Sequence, residues 1–259
     1  MNESGRQRHA VVTGSSGIGL GTAVRLAADG FHVTVSGIDE RANREARATS
    51  AGLAIDVVKL DVTDEAAISA FAADLGQRID GLDALVNAAG VQTYGTIETT
   101  TPADWQRTIA VNLTACYLIS HHLYPLMKKR GEGAIVHIAS VQGHANQKNV
   151  LAYATAKGAV HTLTRAMAVD CARDGIRVNS VSPGSVRTPL LEFSARKLTP
   201  PGGSIEETLA GFGRSHPVGR IGTVEEIAGL VAYLVGPQSH FCTGADFLID
   251  GGLKAQLGV

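Results

Sequence analysis

The sequence predicts an α/β fold, a doubly wound parallel sheet in three layers that forms a single domain. Three observations carry that expectation. Short runs of apolar and β-branched residues, without the alternation of a half-solvated strand, alternate with longer segments whose apolar residues recur at helical spacing. At 259 residues the chain is long enough for one large core, and no repeat, low-complexity tract or linker divides it. Strand and helix alternation throughout favours right-handed crossovers, and hence a parallel sheet with helices on both faces.

In chain order, strands are expected at residues 10–13, 33–36, 57–61, 84–87, 134–139, 178–181 and 247–250. The first runs through Val12-Thr-Gly14-Ser-Ser-Gly17-Ile-Gly19 into an apolar helix. Thr101-Pro-Ala-Asp104 opens a later helix with an N-cap, a proline at the first position and a carboxylate in the first turn. Trp105, Ile109, Asn112, Cys116, Ile119 and Leu123 are expected to form one row of it. After Tyr153, the residues Ala156, Val160, Leu163 and Met167 form another stripe, and Thr223-Val-Glu-Glu226 is a capping box ahead of Ile227, Leu230, Val231 and Leu234. Two stretches break the rhythm. Residues 143–151 are polar and long for a turn. Residues 189–217, with Pro200-Pro-Gly-Gly203, are expected to be a mobile substrate lid, because they follow a strand at the carboxyl edge of the sheet.

Composition excludes several classes of function. With 23 basic and 24 acidic residues, the chain has no bulk field for nucleic acid or anionic membranes. A hydrophobic content of 44% argues against disorder. Cys116, Cys171 and Cys242 are too widely spaced for a disulfide framework or a metal knuckle, and fit a reducing, cytoplasmic compartment. Residues 1–9 are polar and unlike a signal peptide, and no apolar run is long enough for a membrane span. The 30 glycines exceed average usage, so each must be explained by backbone geometry.

The chemistry-bearing residues begin with those glycines. A strand, glycine loop and helix in this order lets the backbone approach a diphosphate at a helix N-terminus. It is not a Walker loop, since Leu20-Gly21 stand where Lys-Ser/Thr would be required. Farther on, Ser140 precedes Tyr153-Ala-Thr-Ala-Lys157, whose spacing of four places the phenol and the ammonium on one helical face. A lysine there is expected to lower the phenol's pKa and so fit it for proton transfer. Asn112 is a polar residue on a burying stripe and needs hydrogen-bond partners; it either serves the site or caps a backbone group.

This set resembles the short-chain dehydrogenase/reductase family, from about Ala10 to Gly252. The resemblance rests on the glycine loop, Asp61-Val62, Asn87-Ala-Ala-Gly90, Asn112, Ser140, Tyr153 with Lys157, Asn179-Ser-Val-Ser-Pro-Gly184 and Asp250-Gly-Gly252. It implies a Rossmann-type fold and an NAD(P)-dependent oxidoreductase interconverting a secondary alcohol or hemiacetal with a carbonyl. By the resemblance Tyr153 is the acid/base, Lys157 lowers its pKa and holds the nicotinamide ribose, Ser140 orients the substrate oxygen, and Asn112 completes a proton relay. Gly14, Ser16, Gly17, Ile18 and Gly19 would meet the diphosphate, Asp61 and Val62 the adenine. Asn87, Ala88 and Gly90 would floor the cleft, with Pro183, Gly184, Val186 and Thr188 at the carboxamide.

Two departures stand out. The family loop usually has three residues between its first two glycines, and here Ser15 and Ser16 are only two. The acidic residue that usually ends the second strand of an NAD-selective member is Gly37, followed by Ile38; counting about twenty residues past the last loop glycine reaches Asp39 instead. Asp39, and the absence of a basic residue in the loop, favour NAD, with NADP possible. Gln92, Gln142, His144 and Ser185 are expected around the substrate, which suggests a sugar or polyol; a 3-ketoacyl thioester is the alternative. No carboxylate is spaced with His144 to make it a metal ligand, and no metal is expected. A non-catalytic dinucleotide-binding or sensing protein is the alternative of another class. Neither a G-x-S-x-G elbow nor HExxH occurs. A homotetramer, formed through the helices holding Asn112 and Tyr153 and through the C-terminal strand, is implied by the resemblance.

Overall fold

A computed structural model describes residues 6–257; residues 1–5 of the polar start, and 258–259, lie outside it. Its strands are β1 (Arg8–Thr13), β2 (Phe31–Gly37), β3 (Ile55–Lys59), β4 (Ala84–Asn87), β5 (Gly133–Ile138), β6 (Ile176–Pro183) and β7 (Asp246–Ile249). They form one sheet in the order β3-β2-β1-β4-β5-β6-β7, parallel at every pairing. The third strand begins two residues before the expected 57–61, because Ile55 pairs with Val33 and the ladder ends at Lys59 opposite Gly37.

The helices are α1 (Gly17–Ala28), α2 (Glu40–Thr49), α3 (Glu65–Arg78), α4 (Pro102–Ile109), α5 (Ala115–Arg130), α6 (Leu151–Cys171), α7 (Pro189–Leu198), α8 (Ile205–Arg214) and α9 (Val224–Val235). Successive strand residues point to opposite faces, which divides the core in two. Ala10, Val12, Val33, Val35, Val86 and Val136 pack with Leu26 of α1 and Ile227, Val231 and Leu234 of α9. Val11, Leu85, Ile135 and Val178 pack on the other face against Ile68 and Leu75 of α3 and Ile119, Leu123 and Met127 of α5. Most helix starts carry the cap that their sequence prescribes. Thr101 accepts from the Asp104 amide, and Thr223 and Glu226 complete the capping box.

The stretch at 189–217 contains two helices: α7 and α8 pack against each other, with Pro189 at the first position of α7 and Thr188 capping it. One expectation is corrected: the row from Trp105 to Leu123 is not continuous. Residues Ala110–Thr114 form a π turn between α4 and α5, which breaks the 3.6-residue spacing and leaves Trp105 38% exposed while Cys116, Ile119 and Leu123 are buried.

Candidate active site

The strand order reverses between β1 and β4, so the loops leaving their carboxyl ends diverge and open a crevice. A cavity of about 600 Å³ occupies it. The glycine loop contributes Gly14, Ser16, Gly17 and Ile18 to the wall, and the turn after β4 contributes Ala88 and Gly90. Asn112, Ser140, Tyr153 and Lys157 all line this cavity, as do Pro183, Gly184, Ser185, Val186, Thr188, Gln92 and Gln142.

The glycine loop fits a diphosphate. A Cβ on Gly19 would lie 2.0 Å from the Gly14 carbonyl oxygen, so the loop can fold onto the start of α1 only with glycine there. Ser16, the N-cap of α1, makes no side-chain cap bond, which leaves the first-turn amides to a ligand. Thr13 Oγ1 accepts from the amides of Ala88 and Ala89, both at 3.0 Å, and so joins the end of β1 to the cleft floor.

The glycine loop and the glycine that ends β2 are in contact. The Gly14 amide donates to the Ser36 carbonyl at 2.7 Å, drawing the loop against the end of β2. Ser15 is buried there, and a Cβ on Gly37 would stand 2.1 Å from its hydroxyl. The space that a side chain at position 37 would need is filled by Ser15.

At the reacting end, α6 carries both Tyr153 and Lys157. Burial pushes the Tyr153 phenol up to about 12, Ser140 beside it acting in the opposite direction. The expected lowering by Lys157 is absent from this geometry. The ammonium donates to the Ile138 carbonyl at 2.7 Å, lies 5.7 Å from the centre of the tyrosine ring, and is itself pushed down by burial. Tyr153 is therefore a neutral acid at neutral pH. Asn112, fully buried in the π turn, spans the Val91 backbone: its Nδ2 donates to the Val91 carbonyl at 2.9 Å and its Oδ1 accepts from the Val91 amide at 3.2 Å. A Cβ on Gly90 would lie 2.9 Å from Asn112 Oδ1 and 3.9 Å from Lys157 Nζ, so glycine keeps that passage open.

Several expected residues do not line the cavity. Asp39 caps α2, accepting from the Ala42 amide at 2.7 Å. Asp61 accepts from the amide and hydroxyl of Thr63, and Val62 is core. Asn87 lies beneath the floor, bonded to Ser120 and His137. Gly19 is covered by the loop, and His144 turns away to Asp246, at 2.7 Å. Conversely, the cavity wall includes residues that the sequence did not single out. Tyr94 is one, and α7 and α8 contribute Leu190, Leu191, Leu198 and Phe212. Buried His216 is bonded through Nδ1 to the Asp250 carbonyl, and its Nε2 accepts from the Ser185 amide. Nothing in the flap's composition marks His216; only the packing of Gly184 against its ring, where a Cβ would lie 2.5 Å away, reveals it.

A family model described as enoyl-(acyl carrier protein) reductase matches residues 12–254. Cis-4-hydroxycyclohexanecarboxylate dehydrogenase of Sinomonas cyclohexanicum is 36% identical, covering 98% of this chain and 100% of its own. The ligand-free aldohexose dehydrogenase of Thermoplasma acidophilum superposes with a TM-score of 0.89 at 33% identity, covering 98% of this chain and 96% of that one. A variant of actinorhodin polyketide ketoreductase with NADPH superposes at 0.91 and 32% identity, covering 95% and 97%. The chain belongs to the short-chain dehydrogenase/reductase family, as an oxidoreductase that uses a nicotinamide dinucleotide to interconvert a secondary alcohol and a carbonyl.

Proposed function

We propose that the chain is an NAD-dependent dehydrogenase of a hydroxylated small molecule, a sugar or polyol, with Tyr153 as its acid/base. The observation that carries this is the meeting of Tyr153, Ser140 and Lys157 in one cavity with the glycine loop. When bound, the dinucleotide supplies hydride chemistry. In reduction, Tyr153 Oη gives its proton to the carbonyl oxygen, and in oxidation the phenolate takes it back from the alcohol. Ser140 Oγ orients that oxygen. Lys157 holds the ribose of the bound cofactor, and Asn112 fixes the Val91 backbone beside Gly90. Tyr153→Phe should lower turnover by about 10²–10⁴-fold while leaving dinucleotide binding nearly unchanged. Normal turnover by that variant overturns the assignment, and binding without turnover by the wild type would favour a sensing protein.

Gln92 and Gln142 on the cavity wall support a hydroxylated substrate, because their amides can both donate to and accept from hydroxyl groups. The apolar lid residues Leu190, Leu191, Leu198 and Phe212 favour the second reading, a 3-ketoacyl thioester reductase, as does the likeness to a polyketide ketoreductase. A screen of aldoses, polyols and β-ketoacyl thioesters separates them. For the cofactor, Asp39 places a carboxylate beyond β2, and Arg41 is engaged by Glu45 at 2.8 Å, which leaves a poor setting for a 2′-phosphate. NAD should therefore show the higher kcat/KM. The free cysteines fit a cytoplasmic location.

A further inference from the structure

Three side chains distant in sequence meet outside the cavity, just beyond Ser140. His144 comes from the turn after Ser140, His161 from α6 one turn past Lys157, and Asp246 from the start of β7. Their nitrogen and oxygen ligand atoms all lie within 4.8 Å of one another. His144 Nε2 is 2.7 Å from Asp246 Oδ2, and His161 Nε2 is 3.5 Å from Asp246 Oδ1. The two imidazoles lie side by side, with ring centroids 4.3 Å apart and planes at 31°, so both Nε2 atoms face the same carboxylate. That carboxylate is held in place from behind: Ser180 and Ser182 of β6 donate to Oδ1 at 2.5 and 2.9 Å. Gly143 makes the approach possible, since a Cβ there would lie 2.5 Å from His161 Cε1.

We propose that His144, His161 and Asp246 form a binding site for a divalent transition-metal cation of the zinc class. Two imidazoles and one carboxylate suit such ions better than magnesium or calcium, which take oxygen ligands. Ligand atoms about 2.0–2.1 Å from a tetrahedral zinc stand about 3.3 Å apart, and the separations here bracket that spacing. The Ser180 and Ser182 hydroxyls act as the outer partners that orient a ligating carboxylate. A water completes the fourth position. Half-exposed His144 gives the ion a route in from solvent. A bound ion would fasten the turn carrying Ser140 to α6 and β7.

The experiment uses the full chain, stripped with a chelator and dialysed, without substrate or dinucleotide, so that its outcome is independent of the dehydrogenase assignment. Titration with Zn²⁺ should show one equivalent bound per chain and a raised Tm, and Co²⁺ should give the visible d–d absorption of a four-coordinate site. His144→Ala, a change at an exposed position, should fold and lose both the equivalent and the cobalt band. Asp246→Asn should do the same for binding. Ser180→Ala should weaken Zn²⁺ by about 10–100-fold. The proposal is overturned if the wild type binds no stoichiometric zinc, or if His144→Ala and Asp246→Asn retain it. In either case the cluster is a hydrogen-bonded clasp between the turn, the helix and the sheet.

Discussion

Tyr153 and His137 illustrate how burial, rather than residue type, sets the chemistry of single groups in this protein. With its phenol pushed up to about 12 by burial, Tyr153 favours the neutral form at neutral pH, and in the acid/base role proposed for it the phenolate needed for oxidation grows about tenfold per pH unit below that value. Alcohol oxidation should therefore rise in kcat/KM from pH 7 to 10 while carbonyl reduction stays level, as read in paired pH profiles. His137, wholly buried in β5 and bonded to Asn87, is pushed down to about 4 by desolvation, with Lys157 adding to the effect. Its ordinary value in an unfolded chain is about 6.5. Between those two values the unfolded chain binds a proton that the folded one refuses. Stability is thus fully present above pH 6.5 and falls as the pH drops toward 4, by on the order of 3 kcal/mol. Urea midpoints measured across that window should fall more steeply for the wild type than for His137→Asn; equal slopes would remove His137 as the cause.

Among the elements, the glycine loop and the end of β2 have to be considered together. The glycine loop presses Ser15 onto Gly37, so placing an acid at position 37 is not a neutral graft. Gly37→Asp should overpack this contact at a cost of about 1–3 kcal/mol and weaken dinucleotide binding, as seen by Tm and by fluorescence titration. Tighter NAD binding by that variant would mean that the loop yields. The π turn at Ala110–Thr114 is the second element of this kind. It spoils the helical row that Trp105 to Leu123 suggests, and it turns Asn112 inward onto Val91.

For the whole molecule, the two-sided core leaves apolar groups uncovered on one edge and one face. Leu248 on β7, Phe241 before it and Tyr233 on α9 are exposed at the sheet edge, and so are Tyr117 on α5 and Val169 on α6. An open edge strand and apolar helix faces of this kind are where chains associate, and we expect a homotetramer built on them. Sedimentation should return four chains, and Leu248→Lys should shift the population toward smaller species. A monomeric wild type would contradict this. Among the described residues no helix is long and apolar enough to cross a membrane.

Much of this was legible in one dimension, because it depends on neighbours in sequence. Continuous apolar runs announced strands buried on both faces, Thr223 and Glu226 announced a cap, and glycines at 14, 17 and 19 announced a loop that a ligand can approach. The spacing of Tyr153 and Lys157 placed them on one helix face. What depends on contacts between distant segments could not be read that way. Only the fold turns Lys157 toward the Ile138 carbonyl, brings His216 under Ser185, and sets Asp246 against His144 across 102 residues of chain. The physical reason is the same in each case. Local conformation follows from the propensities and periodicity of adjacent residues, whereas pKa shifts and ligand geometry follow from desolvation and from partners that the sheet brings together.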